Sequence, residues 1–112
     1  MRRFFPNGKL LAGAFALGML ATAGAAAPLP QAKQYTVIMT SMNFGRVPAV
    51  KVGDTITWVN RDSVPHSVTA RDHSFDLRIG QGKSATLTVR KAGTIVIYCI
   101  YHPTMRGTIT VS

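Results

Sequence analysis

The chain has 112 residues, with 13 Lys and Arg against 4 Asp and Glu, and it holds a single cysteine. One cysteine excludes an internal disulfide. No paired carboxylates, no nucleophile beside a base and no phosphate-cradling glycine loop stand in the sequence, which removes the common enzyme classes; the singly scattered basic residues do not make a nucleic-acid footprint.

The N-terminus reads as a targeting segment. "MRRFFPNGK" is basic, "LLAGAFALGMLATAG" is apolar and "AGAAA" supplies small residues of the A-x-A kind. This is the pattern of a secretory signal peptide over 1–27, cut between about 23 and 27. The apolar run is shorter than the roughly 20 residues of a membrane span, and no cysteine near its end could carry a lipid. The expectation is a periplasmic domain over 28–112 with no membrane anchor. Removing Arg2, Arg3 and Lys9 from the 13 basic residues leaves 10 against 4 acidic ones, about +6. A domain of about 85 residues buries only about 60% of its unfolded surface, so a staple would help it. An exported lone thiol must also be buried, modified or bound. Metal ligation would meet both needs.

Along the mature chain, "PLPQAK" (28–33) is a lead-in and "YTVIMTS" (35–41) has strand composition. "NFGRVPA" (43–49) is a connector. "VKVGDTITWVN" (50–60) carries a Gly53-Asp54 turn signal, after which Ile56 and Trp58 share one face and Thr55 and Thr57 the other. "RDSVP" is a turn, "HSVTA" (66–70) a short strand, and "RDHSFDLRIGQGK" (71–83) reads as irregular and polar. "SATLTV" (84–89) places Ala85, Leu87 and Val89 together. "TIVIYC" (94–99) places Ile95, Ile97 and Cys99 on the inward face, and "GTITV" (107–111) closes the chain. No helix is predicted after the signal. The fold class is all-β, a Greek-key sandwich or barrel. Met39, Met42 and Trp58 are assigned to its core.

The chemistry concentrates in "YCIYHPTMRG", residues 98–107. Pro103 pushes His102 away from the α region, so Cys99, His102 and Met105 stand on a turn between two strands. A thiolate, an imidazole and a thioether suit copper and do not suit magnesium or calcium. A structural zinc site would want four strong ligands. A second imidazole is available from His66, at the start of a strand that can run beside the one ending in Cys99, or from His73, which reads as a solvated loop residue. A trigonal His₂Cys site with a long axial Met suits both oxidation states of copper. Phe44, Val64, Pro65, Ile100, Tyr101 and Pro103 are read as an apolar collar around His102.

"VGDTITWVNRDSVPHSV" and "AGTIVIYCIYHPTMRGTITV" together resemble the cupredoxins, the blue type 1 copper proteins of the plastocyanin/azurin group. Within them the two-residue spacing between Cys and His is similar to the amicyanin branch. The likeness covers most of residues 49–111. It implies the cupredoxin Greek-key fold and one copper per chain, held by His66, Cys99, His102 and Met105. It implies a monomeric one-electron shuttle, not an enzyme. Its electron donor and acceptor proteins, of the kind of a c-type cytochrome and a periplasmic dehydrogenase, would dock transiently around His102. This chain departs from the pattern at Ser67, where the family often has Asn, at Ile100-Tyr101, where amicyanins have Thr-Pro, and in a shorter 71–83 segment. A copper carrier or storage protein is the alternative, for which exposed, exchangeable Cys or Met ligands are expected.

Overall fold

The computed structural model describes residues 31–112. The signal peptide expected over 1–27 lies outside the described residues. Seven strands follow in order: β1 (Gln34–Met39), β2 (Thr55–Asn60), β3 (His66–Ala70), β4 (Asp76–Ile79), β5 (Ser84–Thr88), β6 (Gly93–Tyr98) and β7 (Arg106–Val111). Among the described residues there is no helix long and apolar enough to cross a membrane.

The strands form a three-stranded sheet, β1-β2-β5, and a four-stranded sheet, β4-β3-β6-β7. β1 runs parallel to β2, and β5 antiparallel to it. In the second sheet every pair is antiparallel. The chain leaves that sheet after β4, forms β5 in the other, and returns as β6 beside β3. This is the crossover of a Greek key. β2 alternates half-buried Thr55, Thr57 and Val59 with buried Ile56, Trp58 and Asn60, the period-2 pattern of a strand covering a core. Inward residues of both sheets, among them Val37, Met39, Trp58, Val68, Ile97, Cys99 and Ile109, join one cluster.

Three expectations need correction. The segment 71–83 is not wholly irregular. It contains β4, whose burial alternates from exposed Asp76 and Arg78 to half-buried Leu77 and buried Ile79. Two outward charges and the nearby glycines hid that period. Met42 is not core. It is exposed at φ 61° in a tight turn after β1, alongside Ser41 at φ 54°. Phe44 is not part of a surface collar, being buried with its ring edge-on to Trp58 at 5.9 Å between centroids. The turn that carries Phe44 inward needs Gly45, whose φ is 73° and where a Cβ would collide with the Ile38 carbonyl oxygen.

The register decides where function can sit. His66 pairs with Ile79, and Tyr98 with Arg106. The 61–65 turn, the 80–83 turn and the 99–105 loop therefore gather at one end of the sandwich.

Candidate metal centre

Cys99 follows directly on β6, in phase with Ile95 and Ile97, and is fully buried. After it the loop turns back on itself. The His102 N–H donates to the Cys99 carbonyl (3.2 Å), the Met105 N–H to the His102 carbonyl (2.8 Å) and the Cys99 N–H to the Met105 carbonyl (3.0 Å). These backbone bonds fold the loop back toward Cys99. Met105 is buried in the same cluster as Cys99, and His102 is half-buried.

His66 opens β3 and is fully buried. Its Nδ1 lies 3.8 Å from Cys99 Sγ, and His102 Nδ1 lies 3.6 Å from the same sulfur. The donor atoms of His66, Cys99 and His102 all fall within 4.8 Å of one another. Such separations are too long for strong hydrogen bonds. They match the spacing of sulfur and nitrogen around one metal ion at ordinary bond lengths of about 2.0–2.3 Å. One thiolate and two imidazoles are the donor set that suits copper. His73, the other histidine considered, is exposed in the β3–β4 turn at the far end and takes no part.

Two sets of hydrogen bonds hold these groups. His66 Nε2 donates to Asp62 Oδ2 at 2.7 Å, which leaves Nδ1 as the free lone pair facing the sulfur. Asp62 also accepts from the N–H groups of Met42 (2.9 Å) and Ser41 (2.8 Å), so the tight turn after β1 is tied to the site. The His66 hydrogen bond first, and then these backbone donors, hold the Asp62 carboxyl below its ordinary value.

The second set starts at the sulfur. The Ser67 N–H donates to Cys99 Sγ at 3.3 Å. The Ile100 N–H donates to Ser67 Oγ at 2.8 Å, and Ser67 Oγ lies 2.8 Å from Thr69 Oγ1. Thr69 gives its own proton to Asp76 Oδ1 at 2.9 Å. The Ser67 hydroxyl must therefore donate to Thr69, since each hydroxyl has one proton. Arg78 closes the series with two 2.8 Å bonds to the Asp76 carboxylate. Ser67 thus bridges the two ligand-bearing segments at the place where a family Asn was expected.

Asp62 escaped the sequence reading, which looked only for paired carboxylates. The signal was present, since "DSVPH" sets an acid four residues before His66 across a proline turn. Thr69 and Asp76 could not have been found without β4.

A family profile described as a cupredoxin-like domain matches residues 10–111. Amicyanin of Paracoccus denitrificans is 38% identical over 72 residues, covering 55% of this chain and 52% of that protein. Amicyanin of Paracoccus versutus is 31% identical over 68 residues, with the same coverage of 55% and 52%. The chain thus spans about half the length of these relatives. A solved reduced amicyanin with a proline-to-phenylalanine substitution superposes with a TM-score of 0.61 at 32% identity, covering 70% of this chain and 82% of that one.

Proposed function

The chain belongs to the cupredoxin-like domain family, and from that membership we propose that it is a periplasmic electron-transfer protein with one type 1 copper ion and no catalysis of its own. His66, Cys99 and His102 would hold the metal, with Met105, buried in the same cluster as Cys99, as a fourth ligand. The observation that carries this reading is the buried thiol faced by two imidazole nitrogens, at 3.8 and 3.6 Å. Copper bound there would supply one-electron chemistry, for which one thiolate and two imidazoles are a suitable donor set.

The protein's part is to keep that geometry. Asp62 sets the tautomer and ring angle of His66. The backbone bonds within 99–105 fix His102 and Met105. The Ser67 N–H, aimed at the sulfur, stabilises the thiolate. His102 turns Nδ1 to the sulfur, leaving its Nε2 edge on the far side of a half-buried ring. Electrons would pass across that edge to donor and acceptor proteins. The basic and then apolar N-terminal stretch supports export to the periplasm.

A carrier that hands copper on would favour an exposed, exchangeable thiol, and Cys99 is fully buried. Retention is the better reading. The test is to reconstitute the mature protein with cupric ion and record its absorption and paramagnetic-resonance spectra. An intense, reversible blue thiolate-to-copper band is expected, lost in Cys99→Ser. A colourless protein, or colour that survives Cys99→Ser, would overturn the assignment.

A further inference from the structure

We propose that the cleft between the edge strands β4 and β5, at the end of the sandwich away from Cys99, binds a small aliphatic carboxylate. Among the described residues β4 pairs with β3 alone and β5 with β2 alone, so the two sheets stand open to each other along this side. The chain crosses between them over 80–83, on the His66 side. Toward the opposite end Phe75, Leu87, Val89 and Ile95 line a cavity of about 370 Å³. Small-molecule sites run from about 300 to 1,000 Å³. Ile95 lies four residues before Cys99 on β6, about 13 Å along the strand, and no residue of the metal centre lines the cavity.

The floor of this cleft is apolar. Val89 is buried, while Phe75, Leu87 and Ile95 are half-buried and pack against the core cluster. The sandwich therefore sets their positions, and the cleft stands formed without a ligand. The rim is polar, and it includes the exposed side chains of Arg90 and Lys91. Neither forms an ion pair among the described residues, whose ion pairs are His66–Asp62 and Arg78–Asp76. Two carboxylates lie in the neighbourhood. Ser74, and then the charge of Lys91, hold the Asp72 carboxyl below its ordinary value. Asp72 is thus negative and offsets one of the two rim cations, which leaves one in excess. Asp54, whose backbone bonds to Val89, turns its carboxylate to the Lys33 and Lys51 N–H groups, and those two lysines more than balance it. One spare positive charge above an apolar floor matches one carboxylate on a short hydrocarbon chain. A second copy of this chain would bring the same cations to the cleft and be repelled. The chain's own segment before Gln31, "GAAAPLP" (24–30), is apolar but has no acid to meet Arg90.

The probes are octanoate, butyrate and 1-octanol, each titrated at low salt into isotope-labelled mature protein, copper-loaded and reduced. Octanoate should shift the amide signals of 74–75 and 86–91 and the methyl signals of Leu87, Val89 and Ile95, saturably, and leave 99–105 in place. Its four extra methylenes should make it bind at least about tenfold tighter than butyrate. The double variant Arg90→Gln, Lys91→Gln changes two exposed, unpaired side chains, so the fold is kept. It should bind octanoate at least about threefold more weakly and 1-octanol as the parent does. No saturable shifts in the cleft, equal affinity for butyrate and octanoate, or a double variant with parental affinity for octanoate would overturn the proposal. So would 1-octanol binding the parent as tightly as octanoate does.

Two controls separate the other occupants. Protein begun at Gln31 should show the same cleft signals as the longer mature chain before any ligand is added, and dilution should not move them. Cleft signals displaced by the truncation would give the site to the lead-in, and signals displaced by dilution would give it to a second copy; either overturns the proposal. The titration reads the cleft alone, so octanoate binding to a protein that never turns blue would keep this site and defeat the copper assignment. A blue protein with a cleft that stays silent would do the reverse.

Discussion

At the scale of single residues, the three side chains that the structure gathers, His66, Cys99 and His102, stood out in the sequence because their chemistry is rare. The residues that hold them did not, because their contacts run between segments far apart in sequence. Thr69 is such a case, being mid-strand and outwardly unremarkable until β4 brings Asp76 to it. Thr69→Val keeps the shape but leaves the Ser67 hydroxyl without its acceptor and removes from Asp76 one donor besides Arg78. It should cost about 1–3 kcal/mol in chemical denaturation. It should also shift the reduction potential measured by voltammetry, which a purely structural role would leave alone. Asp62→Ala removes the acceptor that orients His66. A loss of about 10- to 100-fold in copper affinity is expected from competition with a chelator of known strength.

At the scale of elements, alternation revealed β2, β5 and β6, where threonines or other polar residues mark the outer face. It failed at β4, whose four residues give too short a run and whose outward pair is charged. β6 carries the thiol, so its inner face matters twice. Ile97→Ala should cost about 2–5 kcal/mol by cavity formation, read as a lower denaturation midpoint of the copper-free protein. Asp54 ties down the other end of β2. Its carboxylate accepts from the Lys33 and Lys51 N–H groups, both at 2.8 Å, and these hold its carboxyl below the ordinary 3.8. A lowered carboxyl value stabilises the fold fully above the unfolded value, and that stabilisation fades as pH falls through the folded one. Thermal melts of the copper-free protein should therefore lose stability as pH drops below about 3.8, and Asp54→Asn should flatten that part of the profile.

At the scale of the whole molecule, small size and the absence of a disulfide make the metal part of the fold's stability. Copper binds a site that exists only when β3 and the 99–105 loop meet, so it stabilises the folded state by mass action, by about 4 kcal/mol at a thousandfold excess over Kd. Stripping the metal should lower the thermal midpoint, and returning it should restore the original value. The single tryptophan gives the readout. Trp58 is fully buried with its Nε1–H lacking an acceptor, so its emission should be that of an indole in an apolar setting until the sandwich opens. The sandwich itself was predictable from recurrent short strands and turns. Which loops converge was not, because that depends on the His66–Ile79 and Tyr98–Arg106 registers.

Ser67 and Thr69, beneath the 99–105 loop, are held in one orientation. Asp76 takes the Thr69 hydrogen, so neither hydroxyl can turn round without breaking the series, and both are almost wholly out of water. A row of dipoles locked in one sense conducts no protons toward the sulfur and gives bulk water little chance to trade hydrogens with it. Two hydroxyl resonances slow enough to observe in the diamagnetic protein would be the mark of that insulation.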